Sequence, residues 1–306
     1  MGNRSTLNME EYSLEWFCER AVTSLKRIEE NVWDYSDSLL LYVPDSEGEY
    51  ETIQVGDDPY VQLITRPERA YLDSIAPAIV AQLPSEFEYI DLGPGTAHKE
   101  QSVFDEAKRT GKNFVYRPVD ISEHYLKLAA GHAKTQGIQI DPLKSSFEEL
   151  PERLGLPKIP RFVSLGLTFS NYQPEYILRL LKRIAGIGGE IFIDAQIRDR
   201  VVMEDVLRMY REDLYPVVDP KLAFLDVDPK TDVSERSADE GVRLWYTLKH
   251  TNPKLEALGV HAGDKLLMLQ SLRYSVRSLE EELAKTGSPF VVFDTNASFV
   301  GACIKA

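Results

Sequence analysis

Cysteine is nearly absent from this chain of 306 residues. Cys18 and Cys303 stand far apart, too few for a disulfide framework and without the spacing of a zinc site. Histidine is scarce as well: His98, His124, His132, His250 and His261 form no HxxxH or HExxH pair, so no metal site is expected. No run approaches the unbroken apolar length of a bilayer-spanning helix, so no membrane partner is expected. The opening stretch, MGNRSTLNMEEYSLEW, has no basic segment followed by an apolar one, which argues against a secretory signal and for a reducing, cytoplasmic setting. Positive charge is in deficit. The net charge is −14, and residues 1–59 carry fourteen acidic against four basic side chains. Such a surface repels a phosphate backbone, so nucleic acid is a poor partner, and its plainest role is solubility.

What is present is an ordinary globular balance, 43% hydrophobic and 27% charged, with ample material for a buried core. SLEWFCERAVTSLKRIEENVW has apolar positions at helical spacing and predicts one helix. DSEGEYETIQVGDDPY is polar and turn-rich, a loop or weak hairpin. RPERAYLDSIAPAIVAQLP predicts a helix opened by Pro67 and closed before Pro84. From residue 88 strands and helices alternate: strands at 88–93, 113–120, 138–145, 161–168 and 190–197, with helices at 99–110, 122–136 and 174–186 between them. Alternation of this kind predicts an α/β fold with a parallel, doubly wound sheet. Ligands bind such sheets at the carboxyl ends of the strands.

The pattern then stops. VVMEDVLRMYREDLY predicts a helix, DVDPKTDVSERSADEG an acidic turn-rich stretch, and VRLWYTLKH and KLLMLQSLRYS alternating strands. After the helix in SLEEELAKTG, PFVVFDTNASFVGACIKA predicts an antiparallel hairpin turning at Asp294–Asn296 and returning to the main sheet. The expected division is a core of residues 60–197 with 286–306, and a second domain of residues 1–59 with the insertion 198–285.

DLGPGTAHKE follows the first core strand, and Gly93 and Gly95 allow both unusual backbone angles and close approach of a ligand. The third glycine of a dinucleotide loop is missing, with His98 in its place, and the acid Asp120 comes later than that spacing requires. NAD is therefore disfavoured. Asp120 in RPVDIS can accept from ribose hydroxyls or cap the next helix, a position Ser122 can fill instead. Ser146 and Phe147 in SSFEEL fall where an adenine ring would lie, although Phe147 suits a core equally. Asn171 in LGLTFSNYQPEY follows a strand end. Its amide could accept from a substrate amine, or cap the helix that begins at Pro174.

Taken in order and spacing, DLGPGTAHK, RPVDIS, SSFEEL and LGLTFSNYQPE, preceded by TRPERAYL, resemble the histidine-specific methyltransferase family, which methylates the α-amino group of histidine. The resemblance covers residues 60–200 well and 260–306 more loosely. It implies a class I S-adenosyl-L-methionine (SAM) methyltransferase fold, Rossmann-like, with a substrate-binding domain built from the N-terminus and the insertion. It implies Gly93 and Lys99 at the methionine part of SAM, Asp120 at the ribose, Ser146 and Phe147 at the adenine, and Gly95 and Gly166 in the same cofactor site. Asn171 would hold the substrate amine, with Tyr60 and Tyr210 lining its pocket and Tyr210 next to the chemistry.

Departures from the family bear on specificity. Ser146 stands where the family usually has Asp. Leu269 stands where histidine enzymes carry a Glu, two positions before Ser271, to read the imidazole. The family's N-terminal tyrosine-glycine-serine segment is not recognisable. The resulting expectation is a SAM-dependent N-methyltransferase of a small amine or amino-acid derivative other than histidine, releasing S-adenosyl-L-homocysteine (SAH). The competing expectation is a SAM-fold protein that binds without turnover.

Overall fold

The computed structural model describes residues 12–42, 53, 56–95, 99–239 and 241–306. In chain order the strands are β1 (Lys26–Glu29), β2 (Val32–Asp34), β3 (Glu86–Leu92), β4 (Asn113–Asp120), β5 (Leu143–Lys144) and β6 (Arg161–Gly166). They continue with β7 (Glu190–Gln196), β8 (Val233–Ala238), β9 (Arg243–Leu248), β10 (Lys265–Gln270), β11 (Phe290–Phe293) and β12 (Phe299–Lys305). The chain divides into two compact units, Met1–Thr52 with Arg208–Gln270 and Ile53–Leu207 with Ser271–Ala306.

The larger unit is built on a seven-stranded sheet in the order β11-β12-β7-β6-β3-β4-β5. Strand β12 runs antiparallel to both of its neighbours, while β7, β6, β3, β4 and β5 are parallel. This is the doubly wound arrangement expected from the alternating segments, closed by the hairpin that turns at Asp294–Asn296. All seven residues of β7 are buried, as a central strand covered on both faces requires. Its Ile191, Ile193 and Ala195 pack with Val163 and Leu165 of β6 and Val300 and Ala302 of β12. The helix Pro174–Ala185 adds Ile177, Leu181 and Ile184 to this core, and the helix Val276–Ala284 adds Leu279 and Leu283. Connections leave β3 towards β4 in one direction and β6 towards β7 in the other. The order therefore reverses between β3 and β6, where a ligand crevice forms at the strands' carboxyl ends.

The third predicted core strand is much shorter than 138–145. Pro142 lacks an N–H, so pairing is confined to Leu143 and Lys144 against Val119 and Asp120, with a lone bridge from Ile140 to Tyr116. The helix Arg66–Gln82 has Pro67 in its first turn as expected, and a five-residue π-helical turn, Val61–Thr65, runs directly into it. The sequence signalled no such turn.

The smaller unit carries a five-stranded sheet, β1-β2-β10-β9-β8, in which β2 and β10 alone are parallel. Two expectations are corrected here. The single helix predicted from SLEWFCERAVTSLKRIEENVW ends at Ser24, and the rest of the segment is the β1–β2 hairpin. Ser13 caps this helix by accepting the N–H of Trp16, and at its far end Thr23 and Ser24 donate their hydroxyls back to the carbonyls of Glu19 and Ala21. Asn31, at φ 60°, then makes the left-handed turn that short polar side chains tolerate. The acidic stretch 226–241 contains β8, whose residues are all at least partly exposed, so its polar composition suits an edge strand. Of the predicted loop or hairpin at 45–60, residues 45–52, 54 and 55 lie outside the described residues.

Lys221 is fully buried at the centre of this unit. Its ammonium donates to the carbonyl of Tyr35 at 2.5 Å and to that of Met268, and lies 5.1 Å from the Tyr35 ring centroid. Burial pushes the Lys221 amine down to about 7, against partial support from the charges of Asp37 and Asp34. Between pH 7 and the ordinary lysine range the unfolded chain therefore holds a proton that the folded chain lacks, and this group makes stability rise with pH. Urea titrations of the native protein and Lys221→Met should show the gap between them shifting in the native protein's favour from pH 7 to pH 9, by up to about 1.4 kcal/mol per pH unit. A gap independent of pH would mean that the amine stays charged throughout.

Candidate functional site

The glycine loop leaves β3 at the reversal point. Gly93 and Gly95 hold φ of 69° and 54°, the region that favours glycine, and the N–H of Gly93 donates to the carbonyl of Val119 at 2.9 Å. That bond ties the loop to the end of β4, next to Asp120. A Cβ on Gly93 would sit 3.6 Å from Cζ of Phe147, so loop, Asp120 and Phe147 come together in the larger unit. Asp120 is buried, and its Oδ1 accepts the N–H of Ser122 at 2.8 Å. The helix cap itself is Ser122, whose hydroxyl accepts the N–H of Tyr125. Asp120 is thus placed at the strand end without serving as the cap. Ser146 is buried, and its carbonyl accepts the hydroxyl of Ser145 at 2.8 Å.

At the end of β6, Gly166 adopts φ 56° and ψ −152°, a region that only glycine enters freely. A Cβ there would lie 3.5 Å from Glu68 Oε1 and 3.9 Å from Asp194 Oδ2. Gly166 opens the 3-10 turn Leu167–Asn171, which places Asn171 half-buried beyond the strand end. The helix that follows begins at Pro174 with Gln173 as its cap residue, and no side chain caps it. The capping alternative for Asn171 is therefore not realised. Ser170, fully buried just before it, accepts the N–H of Leu272 on its carbonyl at 2.7 Å and fixes the turn to the segment after β10.

Tyr60 is half-buried immediately before the π-helical turn, the kind of local distortion frequent at functional sites. Gln196, at the end of β7, secures that turn: its amide donates to the carbonyl of Leu63 at 2.7 Å, and its Oε1 accepts from Arg273 Nε at 2.8 Å. Ser271 is buried, and its hydroxyl accepts from Arg273 Nη1 at 2.8 Å. Tyr210 and Leu269 are buried residues of the smaller unit.

Sequence reasoning missed an acidic group beneath the glycine loop. Glu68, Asp91, Glu100 and Asp194 line one cavity together with Lys99, whose ammonium pairs with Glu68 at 2.9 Å. Asp91 accepts the hydroxyl of Tyr116 at 2.6 Å. Burial raises its carboxyl to about 6, against the pull of that bond and of Lys99. Burial likewise pushes Glu100 and Asp194 well above the carboxylate range, helped by the charges of Asp91 and Glu68 respectively. The available signal was an acid inside an otherwise apolar strand, as in EYIDLG and EIFIDAQI. Among the described residues no group of three His, Cys, Asp or Glu side chains is placed to hold a metal ion, and no helix is long and apolar enough to cross a membrane.

The model of a family described as "Histidine-specific methyltransferase, SAM-dependent" matches residues 50–194. Among solved structures, a SAM-dependent methyltransferase of Clostridium acetobutylicum is similar at 12% identity and a TM-score of 0.45, over 84% of this chain and 98% of that one. One of Aquifex aeolicus is similar at 15% identity and a TM-score of 0.43, over 85% and 97%. The DhpI–SAH complex is similar at 13% identity and a TM-score of 0.44, over 88% and 95%. No curated protein matches the chain. The order reversal between β3 and β6, the glycine loop at that point and the reversed terminal strand agree with the family match. Residues 50–194 match the histidine-specific, SAM-dependent methyltransferase family, and the chain has the class I methyltransferase fold, with SAM as the cofactor.

Proposed function

We propose that the protein is an N-methyltransferase acting on a small amine or amino-acid derivative other than histidine. The observation that carries this reading is the position of Asn171. It ends the turn that starts at Gly166, at the carboxyl edge of the sheet beside the glycine loop's strand, and takes no part in capping the next helix.

The residues fit the cofactor: two glycines at positive φ, a buried acid at the end of β4, and an aromatic ring against the loop. Asp120 would accept from the ribose, Ser146 and Phe147 would meet the adenine, and Gly93, Gly95, Lys99 and Gly166 would surround the methionine part. Bound SAM supplies a methyl carbon on a sulfonium, which is already a good leaving group. The chain must therefore align, desolvate and help deprotonate the amine, and no strong general base is needed. The carbonyl oxygen of the Asn171 amide would accept an N–H of the amine, holding it without occupying its lone pair. Tyr60 and Ser271 of the larger unit, and Tyr210 and Leu269 of the smaller, are the candidates for contact with the substrate.

Asp120→Asn keeps an acceptor for the N–H of Ser122 while removing the charge. Calorimetry should show SAH binding weakened by about 1.5–3 kcal/mol, the usual range for a hydrogen bond to a charged group. Unchanged affinity would remove Asp120 from the site. The reaction itself is tested by screening free amino acids and amines against methyl-labelled SAM. Label should pass to at least one amine, whereas SAH binding without transfer to any of them would favour a silent binding protein.

A further inference from the structure

The acidic cavity lies between the carboxyl ends of β3 and β6, with Leu92 and Gly93 on one side and Leu165 and Gly166 on the other, and has a volume of about 30 Å³. A single water needs roughly 10–15 Å³ measured this way, so the cavity admits a small polar group and little more. Two of its acids are committed, Glu68 to Lys99 and Asp91 to Tyr116. Asp194 is not. It is 0% exposed, and among the described residues neither of its oxygens has a hydrogen-bond partner. Oε2 of Glu100 is in the same condition.

A buried carboxyl with no hydrogen-bond partner costs stability, and burial pushes Asp194 towards its neutral form against the charge of Lys99. The complement that an ionised Asp194 would call for is a compact cation with several N–H donors. A primary ammonium fits that description, and Lys99, the one basic side chain among the described residues on the wall, is already engaged by Glu68.

We propose that Asp194 receives the α-ammonium of the methionine end of the cofactor, at the cavity between Gly93 and Gly166. The inference rests on the SAM site assigned above and adds a recognition residue from a strand, β7, that supplies none of the contacts implied by the family resemblance. A Cβ at Gly166 would make only ordinary contact with Glu68 Oε1 and Asp194 Oδ2, so it is the positive φ that calls for glycine there.

The test compares two ligands by calorimetry, SAH and 5′-methylthioadenosine, which has the same nucleoside but no amino-acid end. Asp194→Asn keeps the shape and removes the group that could carry a negative charge against an ammonium. SAH affinity should fall at least tenfold in this variant, 5′-methylthioadenosine affinity should stay within twofold, and the ligand-free protein should melt no lower than the native one. Equal SAH affinity in the two proteins, as a water-filled cavity would give, overturns the inference alone. An equal loss for both ligands overturns it too, because the effect is then on the whole site. Failure of the native protein to bind either ligand would instead overturn the SAM site on which the inference depends.

Discussion

Asn171→Ala should lower methyl transfer by about 100-fold or more while leaving SAH affinity and melting temperature close to native. The size follows from what the amide would do. A bound amine free to rotate its lone pair away from the methyl carbon loses the alignment on which the reaction depends, and small misplacements of reacting groups cost about this much. The indifference of stability follows from the structure. Removing a true helix cap costs roughly 0.5–2 kcal/mol, but the helix at Pro174 takes no cap from Asn171, and the turn before it is held by backbone bonds such as Ser170 to Leu272. Steady-state kinetics, an SAH titration and a melt of the same preparation check all three. A variant that melts several degrees lower with normal turnover would return Asn171 to a structural role.

Histidine should be a poor substrate beside amines carrying aromatic or aliphatic groups. A pocket that reads an imidazole needs an acceptor for its N–H, and the proposed function gives that place to Leu269, which is buried on β10. An imidazole N–H buried without a partner costs on the order of 1–3 kcal/mol. An apolar group in its place gains about 25 cal/mol for each Å² removed from water. In a mixture of histidine and a hydrophobic amino acid at equal concentration, the hydrophobic one should take most of the label. Leu269→Glu should move the preference towards histidine. Efficient methylation of histidine by the native protein would show that Leu269 does not occupy the imidazole-reading position.

The sheet was legible because its signals are local. Each core strand is an apolar run with a turn signal on either side, and the terminal hairpin announces itself through Asp294–Asn296 between two β-branched and aromatic stretches. Errors arose where one pattern served two structures. The apolar spacing from Leu14 to Trp33 suits a helix throughout, yet Asn31 turns the chain back and Val32–Asp34 pairs with β1. The edge strand β8 carries so much charge that its sequence reads as a loop. The site divides in the same way. Gly93, Asp120 and Asn171 each lie at or just past a recognisable strand end, so they could be singled out as candidates before their positions were known. Glu68, Asp91, Glu100 and Asp194 could not be grouped, because an acid in a sequence ordinarily signals solvent. Only the sheet order brings residues from the helix Arg66–Gln82, β3, the glycine loop and β7 to one cavity.

The central claim is methyl transfer from SAM to an amine nitrogen, and the most direct measurement is the position of the transferred methyl. The native protein should be incubated with methyl-labelled SAM and the best amine from the screen, and the product located by tandem mass spectrometry. The label should reside on the amine nitrogen, with SAH formed in equal amount. A methyl on a hydroxyl, carboxylate or ring carbon of the same molecule, with the amine unmodified, would contradict the account.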